Sequence, residues 1–132
     1  MALKLKKTVA QMLAEANAEI ETVTAADAIK LKDDPNILFV DIRDIRELDR
    51  DGRIPGALHA PRGMLEFWVD PATPYHREVF ASGKKFLFFC AAGGRSALAA
   101  QTLQQMGLEP VCHMGGGFAA WRAAGGAIEK KA

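Results

Sequence analysis

The sequence predicts a three-layer α/β protein, in which a mainly parallel sheet of about five strands lies between helices on both faces. Residues 37–40 and 86–89 are continuous apolar runs, which are typical of parallel strands buried on both faces. Short apolar runs alternate along the chain with segments that have helical periodicity and cap signals. Because parallel sheets are built from strands that alternate with helices, this order indicates a sheet covered on both faces.

The individual elements follow from caps, apolar runs and turns. Thr8 and Gln11 fit a capping box, and the helix they open has Val9, Met12, Leu13 and Ala16 on one face. The predicted elements, in chain order, are a helix over 8–18, a strand over 20–23, a helix ending near 31, a strand over 37–40, a short exposed helix within 41–53, a strand over 57–60, loops and short helices over 61–84, a strand over 86–89, a helix over 96–106, a strand over 111–113, a tight turn over 115–117, a helix over 118–124 and a frayed tail at 130–131.

Length and composition indicate one globular domain with a sizeable core. The chain has 132 residues, of which 49% are hydrophobic and 25% charged, with a formal net charge of +1. Such a charge gives no electrostatic reason to expect a nucleic acid or an acidic membrane surface as partner. No apolar run approaches the roughly 20 residues that span a bilayer, and no signal-peptide core follows the basic start. We therefore expect a cytoplasmic protein.

The two cysteines differ in their surroundings along the chain. Two cysteines are too few for a disulfide framework, and neither has neighbours at metal-ligand spacing, so we predict no metal site and no cofactor. Cys112 lies in a predicted strand and is interpreted as a small buried hydrophobic residue. Cys90 directly follows the strand over 86–89. It is therefore expected at the edge of the sheet where open α/β proteins bind their ligands.

The residues after Cys90 predict a cradle for an anion. Ala91, Ala92, Gly93 and Gly94 carry no bulky side chain, so their backbone N–H groups are free to converge on one centre. The helix that follows adds free N–H groups and the positive end of its dipole. In such settings the pKa of a cysteine falls from about 8.5 to between roughly 3.5 and 7.5. The sequence therefore predicts a thiolate at Cys90.

Arg95 and Ser96 complete the predicted cradle. Arg95 carries a permanent positive charge on a planar fork that suits oxyanions, and Ser96 has a hydroxyl to donate. A thiolate held in this way suits two reactions. It can attack the phosphorus of a phosphate ester, or it can attack the outer sulfur of a thiosulfate-like donor and become a persulfide.

Three further polar residues follow predicted strands and are candidates for the mouth of the site or its support. Asp41 and Arg43 come after the strand over 37–40, and Arg62 comes after the strand over 57–60. We favour a supporting role for Asp41 and Arg43, paired with each other or with Glu47, while Arg62 is equally well explained as an exposed side chain.

The three histidines, His59, His76 and His113, are interpreted as structural. A thiolate that is already formed needs no base for its attack, and the histidines have no metal-ligand pattern.

Four segments, in order, resemble the rhodanese family of single-domain sulfurtransferases. The segments are DIRD followed by Glu47, GRIPGALHAPRG over 52–63, CAAGGRS over 90–96 and MGGGFAAWRAAG over 114–125. The resemblance covers about residues 23–128, with Arg53 in place of the family's common histidine and about one extra residue between Glu47 and Gly52. It implies a rhodanese-like domain over 19–132, with residues 1–18 as a helical extension.

The resemblance implies a thiosulfate sulfurtransferase in which Cys90 accepts the sulfur. Its partners would be a small sulfur donor and a thiol or cyanide acceptor, with a protein partner in a sulfur relay as a further expectation. Cell-cycle phosphatases of the same fold have a loop one residue longer than the four residues that separate Cys90 from Arg95 here. A cysteine phosphatase or arsenate reductase, and a non-catalytic binding or regulatory module, stay as alternatives. The chain is expected to be a monomer or a homodimer.

Overall fold

The protein, described by a computed structural model over residues 2–130, has the predicted α/β architecture with one sheet of five parallel strands. The strands are β1 (Glu21–Val23), β2 (Ile37–Asp41), β3 (Leu58–His59), β4 (Lys85–Phe89) and β5 (Val111–Met114). They lie in the order β1-β5-β4-β2-β3, and each neighbouring pair is parallel. The strand that precedes Cys90 therefore lies at the centre of the sheet.

Residues 2–130 also form six α-helices and two short 3₁₀ turns, which lie before, between and after the strands. The helices are α1 (Val9–Glu19), α2 (Ala25–Leu31), α3 (Ile45–Asp51), α4 (Leu65–Val69), α5 (Gly94–Met106) and α6 (Gly117–Ala123). The 3₁₀ turns are Arg62–Met64 and Glu78–Ala81, in the region predicted to hold loops and short helices. None of the helices in the described part of the chain is long and apolar enough to cross a membrane.

Two hydrophobic clusters lie on opposite faces of the sheet because side chains alternate along each strand. In β4, Phe86 and Phe88 pack in the cluster beneath α1 and α5, whereas Leu87 and Phe89 pack in the cluster beneath α2 and α6. Cys90 continues the first set and belongs to the α1–α5 cluster. The strand thus fixes which face of the sheet the sulfur is on.

Helix α1 has the predicted capping box, but only some of the apolar residues predicted to lie on its buried face are buried. The Thr8 side chain accepts from the Gln11 N–H, and the Gln11 side chain accepts from the Thr8 N–H. Ala16 is fully buried, whereas Val9 is 62% and Met12 is 40% exposed. The first turn of α1 therefore leaves apolar side chains exposed, while the helix packs against α5.

Several predicted boundaries were wrong by one or two residues, and the largest of these differences lies close to Cys90. Helix α5 begins at Gly94, because Gly93 adopts the left-handed conformation (φ 108°) and acts as N-cap. Gly94 and Arg95 thus belong to the helix and not to the preceding turn. The strand predicted over 57–60 is only Leu58–His59. Of the predicted tail, residue 131 lies outside the described residues.

Candidate active site

Cys90 is a buried free thiol at the carboxyl end of β4. Only 1% of the residue is exposed. The backbone N of Gly93 lies 3.1 Å from Cys90 Sγ, and the Ser96 hydroxyl oxygen lies 3.6 Å from it. Burial raises the pKa of Cys90, but hydrogen bonds from Ser96 and from the backbone N–H groups of Gly93 and Ala92 outweigh burial and lower it. The site therefore favours a thiolate.

Helix α6 holds the loop in the conformation that directs its N–H groups at the sulfur. The N–H of Phe118 donates to the carbonyl oxygen of Cys90 over 2.8 Å, and the N–H of Ala119 donates to that of Ala91 over 3.1 Å. A Cβ atom on Gly117, which has φ +60°, would lie 2.4 Å from the Cys90 carbonyl oxygen. Glycine is required there because the helix backbone approaches the loop too closely for a side chain.

Arg95, predicted to be part of the anion cradle, is also bound to a carboxylate that the sequence did not reveal as its partner. Its two terminal nitrogens donate to the two carboxylate oxygens of Glu47 over 2.8 and 2.9 Å. The Arg95 guanidinium, through these hydrogen bonds, is the main cause of the lowered pKa of Glu47. This bidentate pair joins the first turn of α5 to α3. Arg95 thus holds the loop through Glu47, and Cys90 is a further, smaller cause of the raised pKa of its guanidinium.

Asp41 and Arg43 form a buried ion pair, each with 1% of its side chain exposed. Arg43 also donates to the carbonyl oxygen of Gly52 over 2.9 Å and stacks on the Phe118 ring, with 4.1 Å from the guanidinium carbon to the ring centroid. The pair therefore joins the end of β2 to the end of α3 and to α6. Asp41 and Arg43 were predicted to pair with each other or with Glu47, and the structure has them paired with each other, which explains their burial.

Arg62 is exposed and lies in a 3₁₀ turn, two strands away from β4. Its backbone N–H donates to the carbonyl oxygen of Ile42 over 3.2 Å. The structure thus brings together Cys90, the loop residues and Ser96, and it places Arg62 on the periphery of the same edge.

His113 belongs to the site, although the sequence reasoning treated it as structural. It is 2% exposed, its Nδ1 lies 3.0 Å from Ser96 Oγ, and its Nε2 lies 3.1 Å from Asn17 Oδ1. Phe88 of β4 pairs with His113 of β5, so His113 shares the face from which Cys90 projects. A histidine in an otherwise apolar strand was the available signal, but its meaning depends on this register. A cleft of about 260 Å³ borders Asn17 and His113.

Within residues 2–130, no group of three or more His, Cys, Asp or Glu side chains could hold a metal ion.

Comparisons with known proteins identify relatives of this chain. The model of the rhodanese-like domain matches residues 24–124. The chain is 55% identical to a Rhodopseudomonas palustris CGA009 protein of unknown function, described as a possible tyrosine phosphatase, whose structure superposes with a TM-score of 0.95 over 98% of this chain and 99% of that one. This relative therefore shares helix α1.

Two further relatives are more distant. A rhodanese-related protein from Thermoplasma volcanium is 27% identical, with a TM-score of 0.69 over 84% of this chain and 99% of that one. A mouse protein named thiosulfate sulfurtransferase/rhodanese-like domain-containing protein 3 is 27% identical over 104 residues, which are 75% of this chain and 66% of the mouse protein. This stretch is just under two thirds of the mouse protein's length. Because the family model matches most of the length of this chain, the chain belongs to the family of rhodanese-like domain proteins.

Proposed function

We propose that the protein is a sulfurtransferase that carries sulfur as a persulfide on Cys90. The Cys90 thiolate attacks the outer sulfur of a thiosulfate-like donor, the S–S bond of the donor breaks, and sulfite leaves with the bonding electron pair. A thiol or cyanide then attacks the outer sulfur of the persulfide, which regenerates the thiolate. The two half-reactions give ping-pong kinetics.

The observation that carries the proposal is how closely the loop surrounds the sulfur. The Gly93 N–H is directed at Sγ itself at 3.1 Å, and Cys90 is 1% exposed. A persulfide adds one atom beyond Sγ, whereas a phosphoryl group would place three further oxygens inside the loop. The short loop therefore suits transfer of a single sulfur atom.

The pairing of Arg95 supports the same choice. A phosphoryl group in transfer carries charge on its equatorial oxygens, and a guanidinium fork stabilises that charge when it is free to bind. Both terminal nitrogens of Arg95 are bound to Glu47, whose carboxylate would repel an incoming phosphate. Sulfur transfer leaves the charged sulfonate of the donor outside the loop. A reducing compartment such as the cytoplasm suits a chain whose two cysteines are both free thiols.

The test is mass spectrometry of the intact protein after treatment with thiosulfate. We expect the gain of one sulfur atom, its loss on addition of cyanide, and no gain in the Cys90→Ala variant. Cys112→Ala is the matched control and should gain the sulfur like the parent protein. An unmodified mass under saturating thiosulfate would refute the proposal.

Phosphatase chemistry is a second candidate, because the relative at 55% identity is described as a possible tyrosine phosphatase. Hydrolysis of a small aryl phosphate that disappears in Cys90→Ser would favour this activity. If neither reaction occurs and Cys90 has an ordinary thiol pKa near 8.5, a non-catalytic binding module is favoured instead.

A further inference from the structure

A chain of hydrogen bonds behind Cys90 contains groups that the proposed sulfur transfer does not use. It runs from Cys90 Sγ to Ser96 Oγ over 3.6 Å, to His113 Nδ1 over 3.0 Å, and from His113 Nε2 to Asn17 Oδ1 over 3.1 Å. Cys90, Ser96 and His113 are buried, while Asn17 lies on the exposed side of α1. These hydrogen bonds thus connect Cys90 with helix α1, which precedes the residues that match the family model.

Asn17 determines which imidazole nitrogen carries the proton. Its Nδ2 donates to the carbonyl oxygen of Leu13 over 2.9 Å, which leaves Oδ1 toward His113. An amide oxygen only accepts hydrogen bonds, so Nε2 of His113 is the donor, and Nδ1 of the neutral ring is an acceptor. The Ser96 hydroxyl therefore donates to His113, and its lone pairs face the thiol of Cys90.

This chain of hydrogen bonds can hold its protons in two arrangements. In both, the heavy atoms keep their positions and each group has a hydrogen-bond partner. In the first, the Cys90 thiol donates to Ser96, and Ser96 donates to His113. In the second, the thiol proton has passed to Ser96 and the Ser96 proton to Nδ1, so that Ser96 donates to a thiolate and accepts from an imidazolium. One S–H bond breaks and one N–H bond forms, with no external reactant.

Loss of the thiol proton to solvent would leave three acceptors around the single hydroxyl proton of Ser96. These are the thiolate, Nδ1 of His113 and the Gly93 carbonyl oxygen at 3.3 Å. The Gly93 N–H would still donate to the thiolate, but either the sulfur or Nδ1 would lack the hydrogen bond from Ser96, and a lost hydrogen bond in a buried site costs free energy. Transfer of the proton within the chain avoids this cost.

We propose that His113 takes up the proton of Cys90 through Ser96, and that Asn17 of α1 holds the imidazole in the orientation this transfer requires. The proposal rests on the proposed function, because the resulting thiolate is the nucleophile of that reaction. His113 does not touch the donor and is a positioning residue that acts through Ser96. The N-terminal helix thereby becomes part of the active site.

Three groups of charged side chains lie on the surrounding elements, and of these Arg95 also interacts with Cys90, which is a smaller cause of its raised pKa than Glu47. Arg95 of α5 binds Glu47 of α3, and Lys85 of β4 binds Glu21 of β1. Glu19 of α1 accepts from glutamine side chains of α5. Burial is the resolved cause of the lowered pKa of the imidazole. The thiolate is thus the anion placed to stabilise a proton on the ring.

The first test is a pH titration of the Cys90 thiolate by its ultraviolet absorbance, in a Cys112→Ala background with a single thiol. His113→Gln retains a hydrogen-bonding side chain but cannot take up a proton, so we expect its midpoint to rise by about one pH unit or more. Asn17→Ala should shift the midpoint in the same direction by less. His76→Gln, outside the chain of hydrogen bonds, is the control and should leave it unchanged. An unchanged midpoint in His113→Gln would overturn the proposal.

The second test follows the proton on His113 by nuclear magnetic resonance of the imidazole nitrogens. We expect His113 to stay protonated to higher pH in the parent protein than in Cys90→Ala, in which no thiolate forms. Equal titration of His113 in both proteins would contradict the relay, even if His113→Gln does not fold. Neither test uses a sulfur donor. If Cys90 and His113 titrate together but no persulfide forms, the sulfurtransferase proposal alone is refuted. If a persulfide forms but the two residues titrate independently, the relay alone is refuted.

Discussion

Cys90 and Cys112 lie on or beside neighbouring strands of one sheet and are equally buried, yet their thiols differ in acidity. Their exposed fractions are 1% and 0%. Burial raises the pKa of Cys112 to about 12, with small opposing effects of Lys85 and Glu21. Burial acts on Cys90 in the same direction, but hydrogen bonds from the loop and from Ser96 reverse the result and lower its pKa.

The difference shows which part of the fold makes a nucleophile. A cysteine inside a strand has neighbours whose N–H groups are already bound in the sheet, so a thiolate there has no donors. A cysteine directly after a strand meets the free N–H groups of a loop and a helix start. The low pKa of Cys90 thus follows from the position of the sulfur relative to the strand end, and not from its burial.

Exchanging each cysteine for alanine should give the largest difference between the two residues, measured as persulfide formation. Cys90→Ala is expected to abolish persulfide formation from thiosulfate completely, because the accepting atom is gone. Cys112→Ala is expected to retain it, since Cys112 only fills space. The measurement is the intact mass of both variants after thiosulfate treatment. Loss of the adduct in a folded Cys112→Ala protein would contradict the comparison.

Gly117→Ala should make Cys90 behave more like Cys112. The new Cβ would lie 2.4 Å from the Cys90 carbonyl oxygen, so the loop must move away from the sulfur. We expect a loss of roughly 1–3 kcal/mol in the free energy of unfolding. The pH at which half of Cys90 is ionised should rise.

Gly125→Ala is the matched control for this change. Gly125 also has a positive φ, of 85°, but no heavy atom lies within 4 Å of its Cβ position. It should lose about 1 kcal/mol through the left-handed backbone, without any shift of the Cys90 titration. An equal shift in both variants would show that the loop is not held by α6.

Ser96→Ala should have a smaller effect on the same titration. The Ser96 hydroxyl is one of several donors that lower the pKa of Cys90, and the backbone donors stay in place. We expect the thiolate midpoint to rise by about one pH unit. Ser82→Ala, at an exposed position, serves as control. A midpoint that does not move in Ser96→Ala would leave the backbone N–H groups as the cause of the low pKa.

Glu47→Gln should have the smallest effect, on stability. The pKa of Glu47 lies below its ordinary value of 4.5 in the folded state, mainly through hydrogen bonds from Arg95. A lowered folded-state pKa stabilises the protein above that ordinary value, and the contribution is lost as the pH falls through the folded-state pKa.

Denaturant unfolding at several pH values tests this prediction. At pH 7 the Glu47→Gln variant should be less stable by about 0.5–1 kcal/mol, since the pair is partly exposed. The difference should shrink as the pH falls below 4.5. A difference independent of pH would mean that the carboxylate charge does not contribute.

The sequence predicted the sheet, and it predicted that Cys90 follows a central strand and precedes a turn of small residues, because both features depend on local patterns. Residues 86–89 could be buried only inside the sheet, and the small residues after Cys90 left few alternatives to a turn of free N–H groups. Thr8 and Gln11 likewise marked the start of α1 through contacts three residues apart.

The rest of the site depends on contacts between residues distant in sequence. The Arg95–Glu47 pair joins residues 48 positions apart, and the contact between His113 and Asn17 joins residues 96 apart. Periodicity and caps carry no information about either pair. The carboxylate partner of Arg95 was not predicted for this reason, and His113 was set aside although its strand register places it beside Cys90.

Alkylation of the native wild-type protein across a range of pH, resolved by peptide mass spectrometry, tests the central claim most directly. Because the two sulfurs are equally buried, access alone would label both cysteines at the same slow rate. We predict that Cys90 is labelled with a midpoint below the ordinary thiol pKa of about 8.5, while Cys112 stays unlabelled until the protein unfolds. Equal labelling of the two cysteines, or a Cys90 midpoint at or above that ordinary value, would contradict the account.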